Sequence, residues 1–212
     1  MIVMYHHIND HSLQQYGFGH LPLKNFVKQL KWITQQNQAN NSDCSNPPNI
    51  KLTFDDGLSS HFDLVAPVLA ENRLHAKFFV QTMPLIEELA CNVHLCQHLI
   101  SKIPPDVILS EISKLESAKP SLHKISSTYE LQDSSVSKKI IKTFFNYSLN
   151  RQEARDILIF LLNQEEAFDE KNFISRVYLN KNQLLKLKQL GFSVLPHFHS
   201  HTLLTNLSAG EL

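Results

Sequence analysis

Asp55 and Asp56 stand side by side in Thr53-Phe54-Asp55-Asp56-Gly57, and His197 and His201 lie four apart in His197-Phe198-His199-Ser200-His201. Adjacent carboxylates repel unless something positive lies beside them. On an extended backbone their side chains leave in different directions, so one can bind a metal while the other faces a reacting water. Gly57 lets the chain turn sharply just beyond them. Two histidines four apart can point at one ion where the backbone is helical or tightly turned, and neutral imidazole suits zinc and its neighbours. One Asp with two His is a three-ligand set that leaves a position for water. A metal so held lowers the pKa of water from about 15.7 to about 7, and the remaining Asp is then a ready general base. Each cluster also has a plainer reading. Asp-Asp-Gly suits an Asx-turn leading into a helix, and a run of histidines can be a solvated surface cluster.

The elements around these residues favour the chemical reading. Residues 1–5 form an apolar run ending at Tyr5-His6-His7, which predicts a short buried strand. Leu23, Phe26, Val27, Leu30 and Ile33 recur at helical spacing, predicting a helix over 23–36, and the polar 37–48 stretch predicts a loop. Ile50 to Phe54 reads as a second strand, Ser59 or Ser60 as the cap of a helix running to about Asn72, and Ala76 to Val80 as a third strand. Strand, helix, strand at these lengths is a βαβ unit and implies a parallel sheet. Helical periodicity then dominates over 85–102, 106–117, 136–146 and 151–166, broken by Pro104-Pro105, Pro120 and a Ser-rich stretch at 126–137. A helix at 180–190 stops at Gly191, and a fourth strand at 192–195 ends at Pro196-His197. Both clusters thus fall just past the C-terminal end of a strand, where parallel α/β folds place their active sites.

Composition removes several alternatives. Twenty basic and twenty acidic side chains cancel, so there is no bulk electrostatic case for nucleic acid or an anionic membrane. Apolar residues at 42% and charged residues at 19% describe an ordinary globular chain. No apolar stretch approaches the roughly 20 residues needed to span a bilayer. The opening Met1–Tyr5 is too short for a signal-peptide core and lacks a basic flank, which predicts a cytoplasmic protein. Cys44, Cys91 and Cys96 are then expected reduced. Cys91, His94, Cys96 and His98 match no standard zinc spacing and fall beside Leu95 and Leu99, so they read as buried thiols and ordinary helix histidines.

The segment LTFDDG resembles the first motif of the polysaccharide deacetylases, the NodB homology family (carbohydrate esterase family four). There the first Asp is the base and the second binds metal, which implies these roles for Asp55 and Asp56. GFSVLPHFHSHTLLTNLS is similar to the second motif, His-Ser/Thr-x-x-His-Pro, and implies His197 and His201 as the other two ligands. Met4-Tyr5-His6-His7-Ile8 resembles the Tyr-His-x-Val/Ile opening of bacterial members, and FDLVAPVLAENRLHAKFFV the helix and strand after their first motif. Departures are Phe198 for Ser/Thr, Thr202 for Pro and Leu195-Pro196 for a small pair. His199 is expected not to bind. The family's later Arg-Pro, Asp/Trp and Leu-x-His motifs would follow Leu212, so the resemblance implies a C-terminally truncated member, with His6, His7 or His61 as stand-ins near the metal.

The resemblance implies an α/β fold: a partial NodB-type (β/α) barrel with parallel strands at 1–83 and 177–212, interrupted by a mostly helical insertion at 84–176. It implies a metal-dependent carbohydrate deacetylase acting on an N-acetylated glycan or sugar precursor, with zinc the first choice of metal. Without the general acid such a chain would lose about 10²–10⁴ in rate. The alternative is a non-catalytic, truncated deacetylase-like domain that binds a metal or a partner. An open sheet edge favours self-association or a C-terminal complement. A two-His-one-carboxylate iron oxygenase would need a different, strand-rich scaffold.

Overall fold

The computed structural model describes residues 1–10, 19, 21–41, 50–115, 135–165, 167–202 and 207. Gly17, Cys44, the predicted loop from 42 onward, Pro120 and most of the Ser-rich stretch lie outside the described residues. Two compact units form, the first from the N-terminal part up to Leu89 together with Lys171–Phe198, the second from Ala90–Glu170 and from His199 on.

The first unit is an α/β layer. Its sheet has the order β1 (Ile2–Tyr5), β4 (Lys51–Phe54), β5 (Ala76–Val80), β6 (Ser193–Pro196), and every neighbouring pair is parallel. Two further strands of two residues, β2 (Ile8–Asn9) and β3 (Leu21–Pro22), pair in parallel beside it; they are too short to leave a periodic signal in the sequence. Side chains alternate across the sheet. Leu52, Phe54, Phe78 and Val80 are buried under the helices, while Ile2 and Met4 on the other face are 66% and 57% exposed. Tyr5 stacks on Phe54 at 5.5 Å and Phe54 on Phe78 at 5.1 Å, and Phe192 meets Phe78 edge-on at 5.4 Å. Each such ring contributes about 1.5–3 kcal/mol through burial alone.

Helix α1 (Leu23–Asn41) presents Phe26, Leu30 and Ile33 to this core, three positions of one helical stripe. It runs past the predicted end at 36, and there the Asn37 side chain bonds the backbone N–H and C=O of Ile50. The predicted helix after β4 is instead a π-helical turn, His61–Val65, continued by α2 (Ala66–Glu71). Ser60 makes no side-chain cap bond, and the Ser59 hydroxyl donates to the Arg176 carbonyl. Helix α2 ends in a Schellman turn: Leu74 N–H bonds the Leu69 carbonyl, and Arg73 N–H the Ala70 carbonyl.

Helix α3 (Met83–Ile86) follows β5. The second unit is helical: α4 (Asn92–Lys102), α5 (Pro105–Ser113), α6 (Val136–Thr143), which runs into a π-helical turn at Phe144–Ser148, and α7 (Arg151–Glu165). The single helix expected over 85–102 is thus two. Leu95, Leu99, Ile112, Ile141, Phe144 and Leu158 fill its core. Arg155 bonds both carboxylate oxygens of Glu170 and the Ala90 carbonyl, while Glu170 accepts the Ala90 N–H.

Helix α8 (Glu170–Val177), not anticipated from the sequence, leads back to the sheet. Helix α9 (Lys181–Gln189) then opens with a capping box between Asn180 and Gln183 and ends in a second Schellman turn at Gly191. No helix among the described residues is long and apolar enough to cross a membrane.

Candidate active site at the strand ends

Asp55 and Asp56 follow β4 directly, and both are buried, at 8% and 4% exposure. Their loop is held from three sides. Asp55 N–H donates to the Tyr5 carbonyl at 2.9 Å, Gly57 accepts from Leu179 N–H at 2.8 Å, and Leu58 bridges Tyr178. Asp56 takes a positive φ of 79°, a conformation that non-glycine residues adopt rarely except for Asn and Asp. Gly57 follows at φ 60°, and a Cβ there would lie 2.6 Å from Val80 Cγ1. Glycine is therefore required twice, by the backbone and by the strand it passes.

At the end of β5, Gln81 is 1% exposed and its amide donates to Asp56 Oδ1 at 2.7 Å. At the end of β6, His197 places Nε2 3.7 Å from the same oxygen. Its backbone N–H bonds the Val80 carbonyl, and the next carbonyl, of Phe198, accepts from Thr82 N–H. Three neighbouring strand ends thus converge on one carboxylate. Phe198 itself lies at φ 59°, an outlier for a bulky residue, which puts a sharp left-handed turn directly after His197.

Of the three histidines named as stand-ins, only His7 is brought to this carboxylate, with a ring nitrogen within 4.8 Å of an Asp56 oxygen. His61 turns into the core between Phe54 and Phe78, and its Nε2 donates to the His6 carbonyl at 2.7 Å. Burial pushes its pKa down to about 4, against the opposing pull of that hydrogen bond. It is a neutral structural histidine that ties the turn after β1 to the π-helical turn after the Asp pair.

His201, with φ 59°, and His199 belong to the second unit. There the His201 ring lies 6.5 Å from that of His94, which is 1% exposed on α4. His201 also lines a cavity of about 90 Å³ with Asn92, Asn146 and Arg151. Cys91 and Cys96 are buried, as expected of core thiols, and are not joined in a disulfide. Sequence reasoning missed Gln81 and passed over His94. The first had one signal, a polar residue directly after an apolar strand; the second had only its burial on a helix face.

Residues 42–111, which include the Asp-Asp-Gly loop and β5, match the family described as polysaccharide deacetylase. None of the curated proteins matches the chain. Among solved structures it is similar to a Streptococcus pyogenes deacetylase, PplD, in complex with acetate. That likeness has 19% identity and a TM-score of 0.33, covers 70% of this chain and 81% of that one, and is too loose to carry weight. The stretch similar to polysaccharide deacetylases, residues 42–111 of 212, thus places its Asp-Asp-Gly motif at the mouth of a parallel sheet.

Proposed function

We propose that this chain is a metal-dependent hydrolase that removes the acetyl group from an N-acetylated amino sugar in a polysaccharide or glycan precursor. The observation that carries the reading is the buried Asp56 carboxylate, 3.7 Å from His197 and held by Gln81. Its donors fit a divalent metal: one carboxylate, the His197 imidazole and the nearby His7 nitrogen, with His201 as the ligand that the motif resemblance implies. Zinc is the first choice, and an Asp/His set also accepts iron, cobalt, nickel or manganese. When bound, such an ion polarises an acetamide carbonyl and acidifies a water.

The chain's own residues then divide the work. Asp55 accepts a proton from the water as the water oxygen bonds to the acetyl carbon. The C–N bond breaks, the sugar nitrogen takes up a proton, and acetate is released. Gln81 keeps one Asp56 oxygen oriented, which limits the rearrangement needed when a cation arrives. The Gly57 turn keeps the approach to both carboxylates clear of a side chain.

Elemental analysis of the purified chain beside Asp56→Ala and His201→Ala tests the site. The expected result is near-stoichiometric metal in the parent and loss in both variants. Asp55→Asn should keep the metal and lose acetate release from N-acetylglucosamine oligomers, by about 10²–10⁴ as for removal of a general base. A folded parent that takes up no metal leaves the alternative, a non-catalytic deacetylase-like domain.

A further inference from the structure

A second feature of the first unit lies at the opposite end of the sheet from the Asp pair. The N-terminal ends of β1, β4, β5 and β6 surround a cavity of about 710 Å³, within the range of small-molecule sites. Ile2 and Phe79 supply apolar surface from the sheet face turned away from the helices. Lys51, Arg73 and Lys77 also line it, with His75, and no described lining residue is a carboxylate. In a chain whose basic and acidic totals are equal, twenty each, this grouping of cations around apolar surface is a local departure.

Arg73 adds an independent observation. It occupies the left-handed position of the Schellman turn after α2, at φ 53°. The same turn after α9 uses Gly191 at φ 85°, the residue that the conformation favours. An arginine there is strained, by the usual steric conflict between Cβ and carbonyl. Strained residues persist where the side chain has a use, and here that side chain lines the cavity.

We infer that this cavity binds a single-chain alkyl phosphate, with its chain on Ile2 and Phe79 and its phosphate among Arg73, Lys51 and Lys77. A phosphate monoester carries close to two negative charges at neutral pH and several acceptor oxygens, which matches several cations better than a monoanion does. Arginine meets such a group with two parallel hydrogen bonds. The site is separate from the deacetylase chemistry and stands whether or not that reading holds.

Calorimetric titration of the full chain with dodecyl phosphate, below its micelle concentration, is the test. The expected result is saturable one-to-one binding, weakened about tenfold in Arg73→Gly and in Lys77→Ala, the scale of one lost charge-assisted contact. Arg73→Gly should at the same time raise the Tm, because glycine relieves the strain; a purely structural role would not separate the two readouts. Uncharged dodecyl maltoside binding as tightly would overturn the proposal, as would inorganic phosphate matching dodecyl phosphate. Unchanged affinity in both variants, or non-saturating uptake that reflects detergent coating, would overturn it too.

Discussion

The two units bury polar side chains in different ways. In the first, Asp55, Asp56 and Gln81 sit at the ends of parallel strands, held by loop backbone and by one another. In the second, Cys91, His94, Cys96 and His98 are buried at or along a single helix, α4. Strand ends gather residues that are far apart in sequence onto one point. A helix lays out its own neighbours along a stripe. Burial alone therefore does not mark a reactive centre, and convergence from several elements is the stronger sign.

The largest effect that would probe this contrast is in the turn that keeps the first unit's carboxylates open. Gly57→Ala should cost about 3 kcal/mol, the sum of a strained left-handed alanine and an overpacked contact with Val80. Gly191→Ala is the control: it keeps a positive φ of 85° but meets nothing within 4 Å, and should cost about 1 kcal/mol. Urea unfolding of both variants measures the difference, and equal losses would mean that the Val80 contact is immaterial.

A smaller effect comes from His61, the buried histidine of the first unit with a purely structural partner. Its pKa is about 4 in the folded chain against an ordinary 6.5, so between these values the unfolded chain binds a proton that the folded one refuses. Stability should be whole above about pH 6.5 and fall as pH drops toward 4, by about 1.4 kcal/mol per unit. His61→Gln should flatten that window; an unchanged slope would assign it to other groups. The least costly test lies in the second unit. Burial raises the Cys96 thiol to about 12, so neither Cys96 nor buried Cys91 should react with iodoacetamide at pH 8 until denaturant is added. Rapid labelling of Cys91 or Cys96 in the native chain, told apart from Cys44 by peptide mapping, would break the distinction drawn between the two units.

Much of the first unit was legible because its strands are compact apolar runs bounded by turn residues, and because Asp-Asp-Gly directly follows one of them. The convergence was less so. His7 and Gln81 meet Asp56 only through strand pairing, which no local pattern encodes. Helix α8 was missed because its eight residues offer only Phe173, Ile174 and Val177 as an apolar stripe, too short a repeat to stand out. Arg73 gave no warning of a left-handed turn, since Glu71-Asn72-Arg73-Leu74 contains no glycine.

The order of the sheet has a consequence for how the molecule is made. Strand β6 pairs with β5, yet helices α3 to α9 are encoded between them. Closing so long a loop is slow, because its entropy is lost before the pairing returns any energy. During synthesis β1, β4 and β5 can assemble while the edge of β5 waits, open to any other strand. His197 reaches Asp56 only when β6 arrives, so the pair proposed to hold the metal comes into being with the last parallel pairing. Acquisition of metal would then report completed folding.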